Sequence, residues 1–211
     1  RQCDFKRHKG FQMTQLILGL ILFLGAHSVR ILADGWRDQT IAAYGEKAFK
    51  GVYTLVAILG FYLLVVGYGE ARLQPLVLWN PPIFTKHISM LLMLLSSILL
   101  IAAYIPRNHF KMRLKHPMVL SVKVWALSHL LANGNLADLV LFGSFLIWAV
   151  LNFRSARARD RAQVQNSDAN EEAPLKPNLL ATLIALFGGM GLWAVITFVL
   201  HAKVVGVAPM G

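Results

Sequence analysis

The chain has 211 residues, 56% of them hydrophobic and 15% charged, with a formal net charge of +11. Soluble domains carry charge on nearer a quarter of their residues, and here the apolar residues come in unbroken runs that approach the roughly 20 needed to cross a bilayer, which excludes a soluble domain. Lys and Arg fall between those runs, with no basic domain interleaved with aromatics, so nucleic acid is excluded as a partner and the positive charge reports membrane topology.

Taken in chain order, residues 1–12 (RQCDFKRHKGFQ) carry Arg1, Lys6, Arg7 and Lys9 ahead of Met13 and read as a non-native or upstream extension. They hold the single cysteine, Cys3, so neither a disulfide framework nor a cysteine metal cluster can form. The first span covers about 14–33, the second about 51–68 and the third about 87–105. A short fourth span covers about 118–132, the fifth about 136–153 and the sixth about 179–201. In lipid the backbone must satisfy its own polar groups, so these runs predict helices. The fold class is therefore all-α, a polytopic transmembrane bundle of five to six helices. Residues 13–153 make the main transmembrane domain of about five helices. Residues 154–178 make a hydrophilic cytoplasmic loop, and residues 179–211 make the last span and a tail.

Basic residues orient the chain. If six helices alternate, the connections 30–50, 106–123 and 154–178 share one side and hold 14 of the 21 Lys and Arg, against Arg72, Lys86 and Lys203 opposite. The positive-inside rule places the three basic connections in the cytoplasm.

Seven histidines supply the candidate chemistry. His8 lies in the extension and His109 in a basic loop, while His87 and His201 fall at span ends where a polar tip reaches the interface. His27, in LGAHSVR of the first span, and His129, in VWALSHLLANGN of the fourth, lie within apolar runs. Ionisable groups inside a membrane face the bundle interior and mark functional sites. The plainer alternative is a neutral imidazole bonded to a nearby carbonyl. Two neutral imidazoles suit the axial positions of a haem iron and fall short of the four-ligand set of zinc. His129 stands about 18 Å and His27 about 10 Å from the cytoplasmic boundary by helical rise, an offset that ordinary helix tilt of about 20° partly closes. His116 precedes Pro117, a residue suited to the first turn of a helix.

Other motifs carry less. Phosphate loops, nucleophile elbows and His-Glu-x-x-His are absent from the sequence. LFGGMGLW (186–193) sits in a span, where small residues allow close helix packing. Asp138 opens the fifth span as a helix-start residue. Trp125 shares a helix face with His129, as a cofactor wall or as packing.

Two blocks carry a family resemblance. GAHSVRILADGWRDQTIAAYGEKAFKGVYTLVA resembles the first block of the NnrU family of bacterial inner-membrane proteins, with its His in the first helix and its Gly-Glu-Lys/Arg-Ala-Phe stretch. KHPMVLSVKVWALSHLLANGNLADLVLFG resembles the second, where Arg-His-Pro is followed by Ala-His-Leu-Leu-Ala-Asn-Gly-Asp. Together the blocks cover most of residues 20–153, and the C-terminal third resembles the family less. The family is related to 15-cis-zeta-carotene isomerase, a membrane enzyme that holds haem b between histidines of these blocks. The resemblance implies His27 and His129 as axial ligands of haem b, with His116 in the helix-start motif beside the cofactor. Ala126 stands where the isomerase has a cysteine implicated as an alternative iron ligand, so a thiolate switch is excluded here. Lys115 and Asn135 replace the motif's Arg and final Asp.

The leading functional expectation is an inner-membrane haem protein of nitric oxide or denitrification metabolism, or of respiratory-enzyme maturation. Its ligands would be a small gas or an apolar polyene, and no catalytic residue is assigned. The enzyme alternative is a haem-dependent cis-trans isomerase of a carotenoid-like polyene, and a third class is a cofactor-free assembly factor. The His-Pro start also resembles isoprenylcysteine-type methyltransferases, but Glu171 and Glu172 lack the acidic pattern those enzymes place after their last helices.

Overall fold

The computed structural model describes residues 2–166, 176–207 and 209, with backbone alone for 2–12 and 166. Glu171 and Glu172 lie outside the described residues. Among the described residues eight α-helices follow in order: α1 (Gln2–Leu32), α2 (Asp34–Tyr44), α3 (Glu46–Leu73), α4 (Ile83–Tyr104), α5 (His109–Leu114), α6 (Pro117–Ala132), α7 (Leu136–Asn166) and α8 (Leu179–Val195). From Ile196 to Val205, α8 continues as a wider π-helical turn. Among the described residues, five helices are long and apolar enough to span a bilayer: Met13–Leu32, Glu46–Leu73, Ile83–Tyr104, Leu136–Gln165 and Leu179–Val205. The sixth apolar helix, α6, is the short span that the sequence predicts.

Two connections differ from expectation. The 30–50 connection contains α2, which buries none of its residues and carries Trp36 and Tyr44 beside Arg37. That composition suits a helix lying at a membrane surface. Gly45, with φ +85, makes the corner between α2 and α3, a conformation that costs a side-chain-bearing residue dearly. The hydrophilic segment expected to loop from 154 remains helical to Asn166. Arg157 reaches Asp160 one turn on at 3.2 Å, and Arg159 bonds Ser155 one turn back at 2.8 Å. Such pairs, on an Ala- and Arg-rich stretch, sustain a helix in water. At the other end, α1 begins at Gln2 and so runs back into the stretch read as an extension.

The chain forms two compact units. One comprises Arg1–Asn80 with Gly134–Trp148, and the other Pro81–Asn133 with Ala149–Gly211. In the first, α1 and α3 pack so closely that helix backbones touch. A Cβ on Gly60 would lie 2.6 Å from the Phe23 nitrogen, and one on Gly67 would lie 2.4 Å from the Leu16 nitrogen. Small residues of this kind let membrane helices approach where no hydrophobic force drives them together. The hairpin between α6 and α7 is held from outside the helices: Leu78 and Trp79 donate to the Gly134 carbonyl and Leu136 donates to that of Leu76.

In the second unit α4 and α6 are joined by serines. Ser89 Oγ donates to the Ser128 carbonyl at 2.7 Å and Ser128 Oγ to the Ser89 carbonyl at 2.9 Å. Ser96 and Ser121 exchange the same pair of bonds, at 2.9 Å each. Each helix repeats its serine after seven residues, which returns it to the same face, so two antiparallel helices meet in one register. These bonds compensate for the shortness of α6 and fix its rotation about its own axis. Against α8, Gly189 does what the glycine-rich LFGGMGLW stretch predicts: a Cβ there would lie 2.4 Å from Ile98 Cα. Ser96→Ala and Ser121→Ala should each cost about 0.6 kcal/mol, the typical worth of an interhelical hydrogen bond in a membrane protein. The double variant should cost less than the two together in detergent unfolding, because the bonds are shared.

Candidate functional site

In the first unit, His27 is half-buried on α1, one turn beyond Phe23. Its Nδ1 lies 2.7 Å from the Phe23 carbonyl oxygen. A carbonyl only accepts, so Nδ1 carries the proton and the lone pair of the neutral ring sits on Nε2. Nε2 makes no hydrogen bond among the described residues. Aromatic rings surround the imidazole: Phe23 at 4.3 Å between centroids, Tyr53 of α3 at 5.4 Å, and Trp148 of α7 edge-on at 6.2 Å. Phe61 and Phe145 each stand 6.0 Å from Phe23 and extend the wall. The Trp148 indole N–H is buried and finds no hydrogen-bond partner among the described residues.

Next to this cluster, α1, α2 and α3 enclose an apolar cavity of about 450 Å³. Ala26, Val29, Trp36, Phe49 and Val52 line it, together with Tyr53, whose ring also touches His27. The volume falls in the range of small-molecule and cofactor pockets.

At the far end of α3, Tyr68 donates its hydroxyl to Asp138, and Asn135 Nδ2 donates to the other carboxylate oxygen at 3.0 Å. Asp138 is only 2% exposed. It sits in the first turn of α7, as expected, where the helix N-terminus favours a carboxylate.

In the second unit, His129 lies in the last turn of α6. Its Nδ1 is 3.0 Å from the Trp125 carbonyl oxygen, again one turn back, and its ring lies 5.4 Å from that of Trp125. Nδ1 is the donor here too, by the same reasoning. Asn133 donates both its backbone N–H and its side-chain amide to the His129 carbonyl, at 3.0 and 2.9 Å, which closes the helix immediately beyond the ring. The adjacent Ser128 is tied to α4, so helix rotation and helix end are both fixed around His129. Ala126 is fully buried.

His116 is placed differently. Its Nε2 lies 3.0 Å from Asp160 Oδ2, which Arg157 also engages, and its ring meets Phe153 edge-on at 6.2 Å. Lys115, with φ +63, turns the chain sharply just before it. His116 and His129 share α6 but stand thirteen residues apart, about 20 Å along the helix. One small centre cannot use both, and His116 ties the start of α6 to α7. His109 bonds Thr182 Oγ1 at 2.7 Å and His201 bonds the Val207 carbonyl at 2.6 Å, both local structural roles. The His8 side chain lies outside the described residues.

Sequence reasoning missed Trp148 and Tyr53. Trp148 carried a usable signal, since an indole N–H deep in an apolar span needs a partner. Tyr53 could not be placed without knowing the register of α3 on α1. The described residues contain no group of three His, Cys, Asp or Glu side chains able to hold a metal ion.

A family model described as NnrU protein matches residues 15–209. No curated protein matches the chain, and neither does any solved structure.

Proposed function

We propose, from the premise that the chain belongs to the NnrU protein family, that it is a bacterial inner-membrane protein that binds haem b, with His27 and His129 as axial ligands and its basic connections in the cytoplasm. The observation that carries this reading is a shared arrangement of the two imidazoles: each donates Nδ1–H to the carbonyl one helical turn back, at 2.7 and 3.0 Å. Metal-ligating histidines are held this way, with the second nitrogen fixed by a hydrogen bond so that the ligating lone pair is aimed and the ring more basic. A histidine that merely satisfied itself in lipid would make the same bond, so what distinguishes the two cases is the use of Nε2. The donor set supports a porphyrin, whose own nitrogens complete the iron shell, over a metal ion held by protein alone, for which the described residues offer no third ligand.

Bound there, haem iron would supply one-electron redox chemistry and an affinity for small gases. The chain's own residues would orient the two imidazoles, wall them with Phe23, Tyr53 and Trp125, and exclude water. His116, engaged by Asp160, would anchor the start of the helix that presents His129 about 20 Å further along. The physiological setting this supports is nitric oxide or denitrification metabolism, or maturation of a respiratory enzyme.

One observation favours a second reading, a haem-dependent cis-trans isomerase of an apolar polyene. The cavity bounded by Tyr53 and Val52 is apolar and adjoins His27 through the Tyr53 ring. An elongated hydrocarbon would fit such a site.

Detergent-purified protein, expressed with ample haem precursor, should show a Soret band of a six-coordinate, low-spin haem. His116→Ala should keep that band with at most about a tenfold loss in haem affinity, the lower range for supporting groups. Absence of a Soret band from the wild type would overturn both haem readings and leave a cofactor-free assembly factor.

A further inference from the structure

The Trp148 indole nitrogen is an anomaly that the axial-ligand reading does not use. It is a buried donor without an acceptor among the described residues. Leaving such a donor unpaired costs about 1–3 kcal/mol, and Phe would pack an apolar span without that cost. Trp148 stands edge-on to His27 at 6.2 Å, and Phe145 stands 6.0 Å from Phe23, whose ring lies 4.3 Å from that of His27. The two neighbouring side chains therefore carry complementary chemistry: a lone pair on His27 Nε2 and a hydrogen-bond donor on Trp148 Nε1. A ligand that satisfies both needs a Lewis-acidic centre and a hydrogen-bond acceptor at its periphery. Haem b has both, the iron and the carboxylates of its two propionates.

We infer that Trp148 is a haem-positioning residue whose indole N–H donates to a propionate carboxylate of the haem that His27 ligates. The inference rests on the haem reading above and goes beyond it by assigning the carboxylate partner. A neutral donor to a charged acceptor in an apolar setting makes one of the stronger hydrogen bonds. It would set the rotation of the macrocycle about the His27 axis and discriminate haem from neutral porphyrins.

The test compares binding of haem b with binding of haem dimethyl ester, which keeps the iron and lacks both carboxylates. Wild-type apoprotein should bind haem b about tenfold or more tighter than the ester, the worth of a hydrogen bond to a charged group. Trp148→Phe should lose that preference by weakening haem b alone, with ester affinity unchanged. Trp148→His, which keeps a ring N–H, should recover part of the preference. The resonance Raman band of propionate bending should shift in Trp148→Phe and remain near wild type in Trp148→His. Equal loss of both ligands in Trp148→Phe, with no recovery in Trp148→His, would make the residue a packing group and overturn the inference while the haem reading stands. Failure of the wild type to bind either porphyrin would overturn both at once.

Discussion

His27→Ala is expected to weaken haem binding by more than about a hundredfold, since even groups that only support a metal ligand are worth about ten- to a hundredfold in metal affinity. The purified variant should lose its Soret band while its far-ultraviolet circular dichroism remains helical. The structural cost of the change is modest. His27 is half-buried, its side chain's only hydrogen bond among the described residues is to the Phe23 carbonyl, and that carbonyl keeps its place in the α1 backbone ladder. The truncation also leaves a space the size of an imidazole between Tyr53 and Trp148. Added imidazole should therefore restore the band, which a variant that had merely unfolded would not allow. His129→Ala should give a different result, a five-coordinate high-spin spectrum at reduced occupancy, because Trp125 and the cap from Asn133 persist around the vacated position. If either variant retains the wild-type spectrum, that histidine is not an axial ligand.

The contrast between the two sites indicates how far the sequence could be read. The two histidines were legible because an ionisable residue in an apolar run is conspicuous, and the helices carrying them follow from hydropathy alone. Their hydrogen bonds were legible as well, since a residue one turn back always offers a carbonyl. What could not be read was every feature that depends on register between helices. Ser89 and Ser128 are unremarkable in the sequence until an antiparallel alignment of α4 and α6 makes them partners. Tyr53 and Trp148 reach His27 only because α3 and α7 present them at its height. Helix α2 escaped notice for another reason. Its eleven residues carry too few apolar side chains to register as a span, and its polar ones suggest a loop. A surface helix needs only one apolar stripe, which Trp36 and Tyr44 supply. The helical stretch from 154 to 166 was hidden by its charge, because hydropathy measures solvation and helix formation here rests on Ala and Arg propensity and on pairs such as Arg157 with Asp160.

Gly67→Ala should be among the most damaging small substitutions in the molecule, costing about 3 kcal/mol or more, at or beyond the upper end for overpacking. The new methyl would stand 2.4 Å from the Leu16 nitrogen and 2.9 Å from the carbonyl carbon of Gln15. Those are backbone atoms of a regular helix, with no rotamer to swing aside, so α1 as a whole must move away from α3. Leu16, fully buried in that contact, would lose its packing at the same time. Gly69, two residues further along α3, supplies the control. Nothing lies within 4 Å of a Cβ there, so Gly69→Ala should be neutral or stabilise by up to about 1 kcal/mol through helix propensity alone. Unfolding in mixed micelles, followed by circular dichroism, should separate the two variants by about 3 kcal/mol or more. Equal stabilities would refute the close α1–α3 contact. The same contact sets where His27 stands against Tyr53, so Gly67→Ala should also lower haem affinity, whereas Gly69→Ala should leave it at the wild-type value. A variant that kept full haem affinity after losing the helix contact would show that the imidazole is placed independently of the glycine register.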